Sequence, residues 1–118
     1  MKDPADASRI NQLSDGTPGG LRRLIDLFIT HSSDTAAQLR SAVTESRPAD
    51  VEMLAHRAAG TAGAFGASRL MGLLRQVETL AKQPHAEGLP ALVTEVEEEL
   101  ARVHAFLSQV ADQHERGS

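Results

Sequence analysis

Leu54-Ala55-His56-Arg57-Ala58-Ala59-Gly60-Thr61-Ala62-Gly63-Ala64-Phe65-Gly66-Ala67 is the stretch whose reading decides the fold. Val51, Leu54, Ala55, Ala58, Ala62 and Phe65 recur at the spacing of one helical face and define a buried side. A helix turns roughly 100° per residue, which carries His56 well away from that stripe. Glu52, Gly60 and Gly63 share its side, and Ala59 sits at the border. Each glycine inside a helix costs about 1 kcal/mol relative to alanine. One reason to keep two of them is clearance, so that another backbone or a bulky group on His56 comes close to the helix. The plainer reason is tight helix crossing or a fraying helix end, with His56 a solvated surface residue.

Working outward, Pro48 suits the first turn of this helix, and Asp50 and Glu52 favour its positive N-terminal end. Upstream, Leu21, Leu24, Ile25, Phe28, Ile29, Ser32, Thr35, Ala36, Leu39 and Val43 form a long stripe, predicting a helix to about Glu45. His31 borders that stripe and reads as a partly buried or surface residue. Ser14-Asp15-Gly16-Thr17-Pro18-Gly19-Gly20 is a breaker, with Thr17-Pro18 placed to open the next helix. Before it, Ala5, Ile10 and Leu13 allow a short helix across the end of a bundle.

Downstream, Gly66 ends the His56 helix or marks a change of direction. Leu70, Leu73, Leu74, Val77, Leu80 and Ala81 predict a helix from about Ala67 to Lys82. A loop from Gln83 to Gly88 follows. Leu89, Leu92, Val93, Val96, Leu100, Val103, Leu107 and Val110 then give the cleanest periodicity, with Pro90 in the first turn. Glu95, Glu97, Glu98, Glu99 and Arg102 read as its solvated side. The expectation is an all-α, antiparallel up-down four-helix bundle with a short additional N-terminal helix. Its divisions are an N-terminal segment over 1–16, the bundle over 17–112 and a polar tail over 113–118.

The chain has 118 residues, enough for one domain with one core, and a net charge of −4. That charge argues against nucleic-acid binding, which asks for a basic stripe. There is no cysteine, so disulfides and thiolate chemistry are excluded, and no tryptophan or tyrosine to stack on bases or sugars. No apolar run resembles a signal peptide or a membrane span, which points to a cytoplasmic protein. The initial Met1 favours a free-standing chain. No phosphate-binding glycine loop or nucleophile–base motif appears, and the paired Glu-x-x-His of di-metal bundles is missing. Neither a metal nor a cofactor is expected, and a complete four-helix core suggests a monomer.

His56-Arg57-Ala58-Ala59-Gly60, then Gly63, then Phe65-Gly66-Ala67, then Leu70, Leu73-Leu74, Val77-Glu78 and Leu80-Ala81-Lys82 resemble the histidine-containing phosphotransfer (HPt) domain. That family has an H-x-L-K-G core followed by small residues and a leucine-rich helix. The resemblance runs from about Leu21 to Val110. It implies a phosphocarrier, not an enzyme acting alone, with His56 as phosphoryl acceptor through the ring nitrogen farther from the backbone. It implies receiver domains of response regulators and hybrid histidine kinases as partners, with the receiver supplying a metal ion and a lysine. Ala59 stands where the family carries a lysine that helps hold the phosphoryl oxygens. Lys82 and Arg57 are the expected substitutes, and Ala59, Gly60 and Gly63 the expected docking clearance. The missing lysine keeps a second reading open, an HPt-like module that docks on a receiver or kinase without transferring phosphate. A purely structural bundle is the third.

Overall fold

The computed structural model describes residues 3–116; Met1, Lys2 and the Gly117–Ser118 end of the polar tail lie outside it. Among the described residues five helices follow one another: α1 (Ala7–Leu13), α2 (Gly20–Thr44), α3 (Pro48–Ala64), α4 (Ser68–Ala81) and α5 (Leu89–Arg116). The last four close an up-down antiparallel bundle in which α2 touches α3 and α5, and α4 touches α3 and α5. Short connections force each helix back against its predecessor. Ile25, Leu39, Val51, Val77, Val93, Val103 and Leu107 form the centre of the core, each at most 1% exposed. Their burial is the main stabilising contribution, at about 25 cal/mol per Å² of apolar surface.

The α3–α4 turn fixes how the two central helices meet. Gly66 has φ +67°, its N–H bonds Gly63 O at 3.0 Å, and Ala67 N–H bonds Ala62 O at 2.9 Å. This is a Schellman cap, which needs a left-handed residue at the position Gly66 fills. The short α1 straps the same corner: Asp6 N–H bonds Phe65 O at 3.1 Å, and Arg9 Nη1 donates to Gly63 O at 2.9 Å. Asp6 also caps α1 by accepting from Ser8 and Arg9 N–H groups.

Three local readings are corrected. Helix α2 opens at Gly20, not at Thr17-Pro18, because Asp15 closes the preceding loop by accepting from Thr17 N–H and Oγ1. Helix α5 continues through Arg116, past the point where the polar tail was expected. Arg22 of α2 binds Asp112 and Glu115 there, and His114 and Arg116 suit the negative end of the helix. Finally, Glu99 does not belong to the solvated acidic face. It is 4% exposed, 3.4 Å from Arg69 and 3.7 Å from Arg102, so two guanidinium groups offset its desolvation.

Candidate functional site: the polar edge between α3 and α4

The apolar faces of α3 and α4 are buried in the bundle, which leaves one polar edge of each helix side by side in solvent. On α3 that edge carries Glu52, His56, Gly60 and Gly63; on α4 and its C-cap it carries Lys82, Glu78 and Met71. The helices run antiparallel, so each step up one is met by an equal step down the other. Lys82 Nζ lies 3.8 Å from Glu52 Oε1, and Glu78 Oε2 lies 2.9 Å from His56 Nδ1. Met71 Sδ lies 3.0 Å from where a Cβ on Gly63 would stand.

The His56 side chain is 74% exposed, whereas Glu78 is 19% exposed. Glu78 is thus held by packing and presents its carboxylate to a ring that otherwise projects into water. An ionised carboxylate only accepts, so Nδ1 carries the proton and donates it. The other ring nitrogen, Nε2, is left with its lone pair outward. A fixed tautomer with a free Nε2 is what nucleophilic use of imidazole requires. Sequence reasoning quoted Glu78 only as part of the leucine-rich helix pattern and gave it no role. Its spacing of one turn before Lys82 was the available signal, since both then share the edge that faces Glu52 and His56.

The remaining expected site residues separate. Lys82 is exposed, on the His56 edge, and pairs loosely with Glu52. Arg57 is turned away: it lines the opposite flank of α3, on a cavity of about 250 Å³ shared with Phe28, His31, Thr35 and Thr61. A step of 100° round the helix puts it on the α2 side, away from the edge that carries His56 and Glu78. Ala59 is 3% exposed and belongs to the core, so it gives no docking clearance. Gly63 is used by α4, whose Met71 packs where a side chain would go; its glycine serves tight helix crossing. Of these three positions Gly60 is the one that faces open space: apart from its own helix backbone, nothing described lies within 4 Å of a Cβ built there.

The half-buried histidine of α5, His104, serves packing. His104 Nε2 lies 2.8 Å from Ser32 Oγ, which itself donates to Phe28 O at 2.6 Å, so the imidazole N–H is the donor to Ser32. Its ring meets Phe28 edge-on, and Phe28 stacks on Phe65 at 4.2 Å. Burial lowers the His104 pKa below its ordinary value. Among the described residues there is no group of three or more His, Asp or Glu placed to hold a metal ion. No helix among them is long and apolar enough to cross a membrane.

Comparison with known proteins follows the same division of the chain. No curated protein matches it in sequence. Among solved structures, histidine-containing phosphotransfer protein B (HptB) from Pseudomonas aeruginosa PAO1 superposes with a TM-score of 0.85 at 22% identity. The match covers 96% of this chain and 98% of that one, and shows a shared helical bundle. The family comparison matches the Hpt domain over residues 23–106, from the first turn of α2 well into α5. Members of that family are phosphocarrier proteins that interact with response-regulator receiver domains. A match over more than half of the sequence settles the family, and the chain belongs to the Hpt domains.

Proposed function

We propose that this protein carries a phosphoryl group on Nε2 of His56, accepts it from a receiver-domain aspartate and passes it to another. The observation that carries this reading is the Glu78–His56 pair, with Nδ1 engaged at 2.9 Å and the ring 74% exposed. In the transfer, the Nε2 lone pair forms a bond to phosphorus as the bond from phosphorus to the aspartyl oxygen breaks. The carboxylate leaves with that electron pair. No proton need move: the ring keeps its Nδ1 hydrogen, becomes a cation, and is stabilised by the Glu78 carboxylate. Onward transfer is the same step reversed on a second receiver.

A rigid α3 presents the acceptor, and the open space at Gly60 admits the partner's backbone. Met53 and Gly60, each a turn from His56, frame the docking face, and Met53 is 43% exposed. Lys82 stands on this edge as one source of positive charge for the phosphoryl oxygens. The protein acts as a monomer in the cytoplasm and needs no cofactor of its own.

A second reading, a docking module without transfer, is favoured by the charge of the site. Glu52 and Glu78 bring two carboxylates, and Lys82 already lies beside one of them. Phosphorylated receiver domains incubated with the protein and with His56→Gln separate the two. An acid-labile, base-stable label on His56 by mass spectrometry, absent from the variant, is expected. Receiver binding without any label supports the second reading instead.

A further inference from the structure

The antiparallel register of α3 and α4 places one more residue at the site. Lys82 meets Glu52, Glu78 meets His56, and Met71 meets Gly63. Between Glu78 and Met71 the same edge of α4 carries Arg75, three residues from the one and four from the other. Counted along the register, Arg75 falls opposite Ala59, one turn of α3 beyond His56. Position 59 is where H-x-L-K-G places its lysine. Here the side chain is a methyl group buried against the core, and the charge is missing from α3.

We propose that Arg75 supplies that charge from α4, acting as a catalytic residue that binds the phosphoryl oxygens on His56 during transfer. The proposal rests on His56 being the phosphoryl carrier. Three observations support it. Arg75 is exposed and, among the described residues, has no carboxylate partner, whereas Lys82 lies beside Glu52. Its one polar contact is Nη2 to the Met71 thioether, at 3.8 Å. A thioether is a weak acceptor, so the guanidinium leaves it at little cost. Gly60, one turn from His56 on the facing edge of α3, also leaves room: it has no side chain, and apart from its own helix backbone nothing described stands within 4 Å of the place a Cβ would take. One helical turn, about 5.4 Å of axis, separates Arg75 from the level of Glu78 and His56, within the swing of a long flexible side chain. A planar guanidinium then offers two parallel N–H donors to a phosphoryl group, which an ammonium does not.

The test compares wild type, Arg75→Ala, Arg75→Lys and Arg75→Ala with Ala59→Lys, in phosphotransfer from one phosphorylated receiver domain. Arg75→Ala is expected to slow the rate constant at saturating receiver by about tenfold or more, with the half-saturating receiver concentration little changed. Arg75→Lys should keep part of the rate, and Ala59→Lys should restore what Arg75→Ala loses. As a partner-free readout, each protein is phosphorylated with potassium phosphoramidate, which passes its phosphoryl group to imidazole with loss of ammonia. The Arg75 Nε–H resonance should then shift in wild type and remain unmoved in His56→Gln. A wild-type rate in Arg75→Ala, a loss confined to half-saturation, or an unmoved resonance on labelled protein overturns the role of Arg75 and leaves the carrier reading standing. Failure of wild type to take label at His56 from either donor overturns the carrier reading itself.

Discussion

Helix α3 has two flanks, and they are built in opposite ways. Toward α4, polar residues meet in strict register and Gly63 lets Met71 pack against the helix backbone. Toward α2, small residues such as Ala36, Ala58, Thr61 and Ala62 leave a cavity of about 250 Å³ with Arg57 at its edge. The close flank holds His56 and the side chain that fixes its tautomer. Among the described residues the open flank holds no partner for His56. Positioning thus comes from α4, and α2 completes the core without filling it. Nearness to His56 in sequence says little about function until the flank is known, as adjacent Arg57 and distant Glu78 show.

The sharpest way to break this contrast is to remove the residue that makes the α4 flank specific. Glu78→Ala leaves His56 Nδ1 without its acceptor and the ring free to change tautomer. Phosphotransfer from a receiver should slow by about ten- to a hundredfold, the weight of a hydrogen bond to a charged group. Glu78→Gln should lose less, because its amide oxygen still accepts while its charge is gone. Arg57→Ala, one residue from His56 but on the open flank, should leave the maximal rate unchanged. Equal losses in Glu78→Ala and Arg57→Ala would erase the distinction between the flanks.

Stability offers the next test, with substitutions of one kind expected to act in opposite directions. Gly63→Leu drives a side chain into the space of Met71 Sδ and should destabilise by about 1–3 kcal/mol. Ala36→Leu enters the cavity on the α2 flank and should stabilise by about 1 kcal/mol. Urea unfolding midpoints of the two variants, read with their slopes, check both signs. A destabilised Ala36→Leu would mean that the cavity is not available to a larger side chain.

The contact of α5 with α2 carries the titration that should be visible in stability. Burial depresses the His104 pKa in the folded state, while the unfolded chain keeps the ordinary value near 6.5. Between those two values the unfolded chain binds more protons, so stability rises with pH there. The contribution is complete above about pH 6.5 and is lost as pH falls through the lower folded value. His104→Gln retains a donor for Ser32 and removes the titration. Melting temperatures of wild type should therefore drop on acidification more steeply than those of His104→Gln. Parallel curves would place the acid sensitivity elsewhere.

What the sequence made legible follows from the kind of information each feature needs. Apolar periodicity marks burial directly, so the four long helices and the face bearing His56 could be read from Val51, Ala55, Leu70 or Val103 alone. Helix ends set by side chains far away could not. The last turns of α5 depend on Arg22, some ninety residues earlier, and the burial of Glu99 depends on Arg69 of another helix. The site divides in the same way. His56 stands out on its own wheel, but Glu78 and Arg75 acquire meaning only through the register of α4 against α3. Ala59 and Gly63 looked like clearance because their wheel positions lie near His56, and only the approach of α4 shows that the space is already taken.

The two turns that bound α3 repeat the contrast at smaller scale. Both are Schellman caps. At the α3–α4 corner the left-handed position is Gly66; at the α2–α3 corner it is Ser46, with φ +54°. There Ser46 N–H bonds Val43 O at 3.2 Å and Arg47 N–H bonds Ala42 O at 2.8 Å, so the backbone geometry is the same. A side chain in that conformation costs roughly 1–2 kcal/mol, against roughly 0.5–1 kcal/mol for the extra freedom glycine loses on folding. Ser46→Gly should therefore stabilise by about 0.5–1 kcal/mol and leave phosphotransfer unchanged. Gly66→Ala should do the reverse, since its φ of +67° disfavours a side chain and the new Cβ would come within 2.5 Å of Asp6 Cβ. Thermal unfolding of the pair reads the difference. A loss of stability in Ser46→Gly would show that the exposed serine contributes at that corner beyond the conformation it is made to adopt.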